Sequence, residues 1–538
     1  MRTQDQGPTT TTPLYLGVDA STQSLTLQAI EVGAGRGHLV FEHAVVFDRD
    51  LPEYGTRHGV LPSDDPRVAV APPLMWADAL DRAMAAMAAS GLDCSRVAAL
   101  SGSAQQHGSV YLNGRASGRL GALDPSRPLA PQLDGIFARP VSPIWLDRST
   151  TQECEEITRA VGGAARLASL TGSRAFERFT AAQIRKCYKR EPEAYAASAR
   201  IQLVSSFLAS LLTGADAPLD PGDASGMNLM DLARRGWANV ALEATAPGLA
   251  AKLPAIVPPD TVAGRLAPYW RQRYGVSDAA VVVWSGDNPS SVIGTGLVEE
   301  GRVAISLGTS DTIFGLMRTP RVDPTGTGHV FGAPTGAFMG LTVFSNGSLA
   351  RERIRDAFQL DWQGFAAALE ATPPGIGGAI MLPWFVPEIT PPVPTAGVHR
   401  VNLDAGNPSQ NVRAVVEAQM MSMMNHSRWM GVDVRTIHAT GGASANRAIL
   451  QVMADVFGAE VYQFPVGNSA CLGAALRAWH ADAKARGGAM GWTEIIRGLA
   501  EPVATSRVAP VLDRTRMYAK LRERYAEIES RHVRRESP

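Results

Sequence analysis

The feature that most constrains this chain is a motif it carries twice, far apart. "LYLGVDASTQSLTLQAIEV", Leu14 to Val32, reads as an apolar strand, a polar turn and a second apolar strand. "VAISLGTSDTIFGLM", Val303 to Met317, reads the same way. Their turns, Asp19 to Ser24 and Leu307 to Asp311, are built from Gly, Ser, Thr, Asp and their like. The separation is too large for a solenoid, so the repeat predicts a duplicated fold with one hairpin in each half. A chain of 538 residues is also too long for one core, which again predicts two large domains. Strands and helices alternate between the hairpins, as in an α/β architecture.

Charge narrows the function classes. Lys plus Arg equals Asp plus Glu, at 51 each, which argues against a broad nucleic-acid or membrane surface. There is no run of roughly 18 apolar residues, so no membrane span is expected. The opening "MRTQDQGPTTTTP", residues 1–13, is polar, lacks the apolar core of a signal peptide and reads as a disordered tail. Cys94, Cys154, Cys187 and Cys471 have neither metal-ligand nor CxxC spacing, and read as reduced thiols of a cytoplasmic protein.

Leu74 to Ser90 has helical apolar spacing and stops at Gly91. Val97 to Gly108 reads as a strand running into a polar loop. Val204 to Leu212 reads as a helix, and Asp223 to Asp231 as a loop entering a strand. Arg435 to Pro465 reads as strand, Gly-Gly turn, helix, strand. Asn468 onward is a helix with small residues on one side, and the C-terminus a charged helix fading into a tail. The domain boundary falls near residue 280. That divides the chain into a tail (1–13), an N-terminal domain (14–280), a C-terminal domain (281–505) and a terminal helix with tail (506–538).

Several constellations carry chemistry. Each hairpin turn is either an ordinary β-turn or an anion nest whose backbone N–H groups and hydroxyls converge on phosphate. Two matching turns favour the nest. In "VVVWSGDNPSS" the Val-rich run ends in Asp287, where α/β folds place their sites. Asp287 can accept a proton from an alcohol undergoing phosphorylation, or cap the helix that starts near Pro289. Asn288 can hydrogen-bond a neighbouring hydroxyl. Gly441 and Gly442 let backbone approach a flat ligand, or make a plain strand-to-helix turn in which Ser444 caps the helix. Gln105, Gln106 and His107 suit a polyhydroxylated ligand or a solvated loop. Arg178, among aromatics, is a ligand contact or an ion-pair partner. Trp145 and Asp147 go either way. Trp362 is a packing aromatic or an adenine-stacking one.

Taken together, "GVDASTQS", "SGSAQQHG", "WSGDNPSS…ISLGTS" and "TGGASANRAILQVMADVFG" resemble, in order, the motifs of the FGGY carbohydrate kinases. "FDRDLPEYGT", "LTGSRAFERFT", "DASGMNL" and "GNSACLGAALRAWH" are similar to the longer xylulose-kinase branch found in animals and fungi. The resemblance runs from about Leu14 to about Ala481. It implies two ribonuclease H-like domains of the actin and hexokinase type around a central cleft. It implies phosphoryl transfer from ATP, with Mg²⁺, to O5 of D-xylulose. The carry-over assigns Asp287 as base, and Gln106, His107, Arg178, Asp287 and Asn288 as sugar contacts. Asp19, Thr22, Gly308, Thr309, Trp362, Gly441, Gly442 and Asn446 would bind ATP, and Asp19 would help hold the metal. No nucleic-acid or membrane partner is implied, and the protein would be a monomer or homodimer.

One departure stands out. Many FGGY kinases carry W-x-D-x-R, but "WLDRST" places Ser149 where that Arg would fall and moves an Arg to 148. Two other readings compete: a kinase for ribulose, glycerol or gluconate, and a catalytically idle sugar-binding regulator on the same fold.

Overall fold

The computed structural model describes residues 12–536 apart from 466 and 489. Most of the tail expected over 1–13 therefore lies outside the described residues. Two sheets organise the chain. In the first, β1 (Leu14–Ala20), β2 (Ser24–Gly33) and β3 (Arg36–Val46) form an antiparallel ladder. β4 (Val97–Ala104) runs parallel to β1 on its other side. Then come β5 (Val262–Arg265) and β6 (Ala280–Val282), with β6 parallel to β4 and β5 outermost. The two-residue strand β7 (Ser285–Gly286) pairs with the end of β4.

The second sheet repeats this plan. β8 (Arg302–Leu307) and β9 (Asp311–Met317) form the hairpin; β10 (His329–Gly332) and β11 (Phe338–Phe344) extend it on the β9 side. β12 (Thr436–Thr440) lies parallel to β8, and β13 (Glu460–Gln463) parallel to β12. The orders β3-β2-β1-β4-β6 and β11-β9-β8-β12-β13 are the same, two antiparallel pairings followed by two parallel ones. The duplication expected from the hairpins is thus a duplication of whole sheets.

The change of sheet comes after residue 294, not at 280. β6 and β7 pair with β4, so the apolar run leading to Asp287 closes the first sheet. It is apolar because it is covered on both faces: Val281, Val282 and Val283 are fully buried. The helix α1 (Asp287–Gly294) follows. The chain also returns to the first lobe late. α2 (Ser469–Ala485) packs on β1 and α1 through its small residues. A side chain at Gly473 would run into the Ser290 carbonyl, and one at Gly17 into that of Cys471, so these backbones touch only because both positions are glycine. Trp479 stacks on Tyr15 at 6.4 Å.

Local signals hold elsewhere with two corrections. The helix expected from Leu74 spans Pro73–Ala89, and Gly91 follows at φ +85°. Residues 223–231 are not all loop, because Pro221–Ser225 is a helical turn capped by the Asp220 side chain. The C-terminal helix, Leu512–Glu536, is no loose tail: Tyr518, Leu521, Tyr525 and Ile528 bury one face against the second lobe. Leu521 and Ile528 each contribute roughly 1.5–3 kcal/mol by that burial. Among the described residues no helix is long and apolar enough to cross a membrane.

Candidate active site

The first sheet gathers carboxylates at one end. Asp287 is the first residue of α1, directly after Gly286 at the helix cap position. It is not the cap itself; its Oδ1 accepts from Asn288 N at 2.8 Å and Asn288 Nδ2 at 3.1 Å. Asn288 Nδ2 also donates to Gln106 Oε1 at 2.9 Å, and a side chain at Gly286 would run into Gln106. Asp19, at the end of β1, is nearly buried and accepts from Ser103 Oγ (2.6 Å) and Ser21 Oγ. Burial, reinforced by Asp19, pushes the Asp287 carboxyl up to about 7. Burial raises Asp19 too, against the two hydroxyl bonds. Two neighbouring buried carboxylates whose proton affinities lie above the usual range can take up and release protons near neutral pH more readily than exposed ones.

His107 is held in the left-handed region at φ +73°, where a residue with a side chain is strained. Its Nδ1–H donates to Gly226 O at 2.6 Å, and its ring packs on Phe179 at 4.4 Å. Burial, then the Arg178 guanidinium, push it down to about 3, so the imidazole is neutral and only one nitrogen donates. Arg178 makes no ion pair among the described residues; it lies over Phe176 at 5.7 Å, and burial followed by Arg148 lowers its pKa. Thr22, in the first turn, accepts from Trp145 Nε1 at 2.8 Å. Trp145, which the sequence leaves open, thus contacts the turn of the first hairpin.

At the departure from W-x-D-x-R, Asp147 and Ser149 find their partners within the fold. Asp147 is fully buried and accepts from Ala69 N, Ser149 N and Gln183 Nε2. Lys186 Nζ donates to Ser149 Oγ at 2.6 Å and lies 3.9 Å from Asp147. Lys186, on the helix Thr180–Arg190, thus places a cation beside Asp147.

The second sheet gathers glycines. Gly308 and Thr309 sit at the tip of the β8–β9 turn, with Thr309 exposed. Ser306 pairs with Thr440 across β8 and β12, which brings Gly441 against Leu307. Gly441 and Gly442 are exposed, and a side chain at Gly442 would meet nothing within 4 Å. The strand end is therefore open to a flat ligand. Asn446, not Ser444, caps the following helix Arg447–Phe457: its Oδ1 accepts from Ala448 N and Ile449 N, while Ser444 Oγ donates to Gly441 O. Trp362 is no core residue. It is 45% exposed, opens the helix Trp362–Ala371 and carries Arg355 over its ring at 4.6 Å.

The two clusters thus sit on equivalent ends of equivalent sheets. Residues 138–294 match the N-terminal domain of the FGGY family of carbohydrate kinases, and 303–481 match its C-terminal domain. The chain belongs to this FGGY family. The xylulose kinase of Rattus norvegicus is 44% identical over 96% of both chains, and xylulose kinase 2 of Arabidopsis thaliana 42% identical over 87% of both. The crystal structure of xylulose kinase from Bifidobacterium adolescentis superposes with a TM-score of 0.74 at 23% identity, covering 95% of this chain and 99% of that one. As an FGGY kinase the protein is a phosphotransferase, and its fold is the two-domain ribonuclease H-like arrangement around a cleft.

The donor set at Asp19 is sparse for the metal expected there. Among the described residues no three His, Cys, Asp or Glu side chains converge into a cage. Both Asp19 oxygens already accept hydroxyl bonds. That suits an ion held mostly by phosphate oxygens and water, as Mg²⁺ prefers, with Asp19 reached through water.

Proposed function

We propose that the chain phosphorylates D-xylulose at O5 using Mg·ATP, with Asp287 as general base. The observation that carries this is the Asp287 carboxylate, held at the sheet end by Asn288 and Gln106 and tuned toward neutrality. The relatives that align over nearly the whole chain are xylulose kinases, which supports the substrate. In this reading Gln106, His107, Arg178 and Asn288 orient the sugar, and its terminal hydroxyl gives its proton to Asp287. Thr22, Gly308 and Thr309 hold the phosphates from both sides. Gly441, Gly442 and Asn446 take the adenosine, with Trp362 beside it. Bound Mg²⁺ would neutralise charge on the phosphates. Asp19 would fix its water shell.

The test is ADP release with Mg·ATP and D-xylulose, L-xylulose, D-ribulose, L-ribulose, glycerol or gluconate. D-xylulose is expected to lead by kcat/KM. Another substrate winning would keep the base and refute the sugar assignment; no turnover at all would refute the enzyme reading of the site.

The base assignment sets a pH dependence. Asp287 must be ionised to accept a proton, and its pKa is raised, so activity is lost as pH falls through about 7. The kcat/KM for sugar is expected to rise about tenfold per unit below pH 7 and level off above it. His107, pushed down to about 3, contributes no limb in this range. A profile flat from pH 5.5 to 8.5 would remove Asp287 as the titrating base.

A further inference from the structure

The second sheet inserts its edge strand into the first lobe beside the sugar residues. Along β10, Val330 N donates to Gly172 O at 3.0 Å and Gly332 N to Ser225 Oγ at 3.0 Å. His329, the first residue of β10, is held in the same seam, with its Nδ1 3.1 Å from Ser173 Oγ. Its ring meets Phe176 edge-on at 4.9 Å and lies 5.6 Å from Phe179, the ring that supports His107. It is 4% exposed. Burial, then the charge of Arg178, keep it neutral, as they do His107. His329 shares the Phe179 ring and the influence of the Arg178 guanidinium with His107, and the Phe176 ring with Arg178, the two residues proposed to hold the sugar.

We propose that His329 is a sugar-positioning residue supplied by the second lobe, so that the sugar site is complete only where β10 docks on the first lobe. The proposal rests on the kinase reading of the site. It has a mechanical consequence. β10 pairs with β11, and β11 with β9, which begins immediately after the turn Gly308–Ser310. One hydrogen-bonded ladder therefore joins the histidine beside the sugar to the second phosphate turn. Sugar bound against His329 fixes the strand edge, and the ladder carries that constraint to the nucleotide side.

The test compares wild type with His329→Asn, which keeps a polar atom near the Nδ1 position, with His329→Leu, which keeps apolar volume, and with Ser173→Ala. Calorimetry gives the Kd for D-xylulose, and kinetics the KM for each substrate. His329→Leu is expected to weaken sugar binding at least about tenfold, and His329→Asn and Ser173→Ala less. The KM for ATP at saturating sugar should stay within about twofold; sugar is expected to raise ATP affinity in wild type, and that gain should shrink in the variants. If His329→Leu melts below the assay temperature, His329→Asn carries the comparison. Sugar affinity within about twofold of wild type in both His329 variants overturns the proposal. So does a parallel loss of sugar and ATP binding, the mark of a purely structural role. Wild type that binds D-xylulose without turnover refutes the kinase reading alone and leaves the His329 comparison intact. Wild type that binds no sugar refutes both.

Discussion

Asp287→Asn is expected to lower kcat by at least about 100-fold while changing D-xylulose affinity only a few-fold. The amide keeps the shape of the carboxylate and one acceptor oxygen for the Asn288 N–H. It cannot take a proton. The same substitution should stabilise the fold. Burial and the neighbouring Asp19 raise the Asp287 pKa, so the folded protein prefers the protonated carboxyl. The penalty for ionising it is absent well below the unfolded value near 4, grows through the interval up to about 7, and is complete above that. The variant should therefore melt higher than wild type at pH 8 and nearly equally at pH 4. Slow turnover with a raised melting temperature identifies a tuned base. Slow turnover with a lowered one identifies structural damage, and near-normal turnover removes Asp287 from the mechanism.

What was legible in the sequence was local. The hairpins declare themselves by strand, turn and strand within about twenty residues. Asp287 is conspicuous because a Val-rich run seldom ends in a carboxylate. The C-terminal helix was also readable, since Tyr518, Leu521, Tyr525 and Ile528 recur at helical spacing; their signal is masked by the surrounding charge. The lobe boundary was not readable. Nothing within residues 280–294 says which sheet they join, because that is decided by pairing with β4, far back in the chain. The return of α2 to the first lobe is hidden for the same reason. Ser103 on Asp19, Lys186 on Ser149, and Arg477 on Asp220 are separated by 84, 37 and 257 residues. Each is a buried or partly buried polar partner that only the folded chain selects. Near the glycine turn, the sequence reading places the cap at Ser444. Asn446 takes the role because residues 442–445 form their own short turn first.

Arg351→Met is expected to cost the second lobe about 3–5 kcal/mol and to raise the KM for ATP about tenfold, with little change in that for sugar. Arg351 lies beneath the β8–β9 turn, the one proposed to hold phosphate from the second lobe. Its Nη1 and Nη2 grip Asp311 at 2.9 and 3.0 Å, and both side chains are essentially inaccessible, at 0% and 1%. Nη1 also donates to Gln419 Oε1 at 2.8 Å, and Gln419 Nε2 donates to the carbonyls of Asn346 and Gly347. Ser348 N then donates to Gly308 O at 2.7 Å, so the turn hangs from this network at both ends: at Gly308 through Ser348 and at Asp311 through Arg351. Removing the guanidinium strands a buried carboxylate and releases the turn. The two losses separate in the double variant Arg351→Met with Asp311→Leu. Exchanging the whole pair for apolar groups removes the stranded charge, so most of the stability should return. The grip on the turn does not return, and the KM for ATP should remain high. Calorimetry is the right measure, because two lobes need not melt as one unit. If the single variant loses less than about 1 kcal/mol, the pair is no anchor. If the double variant recovers ATP binding along with stability, the turn is positioned by its own ladder, and Arg351 serves the fold alone.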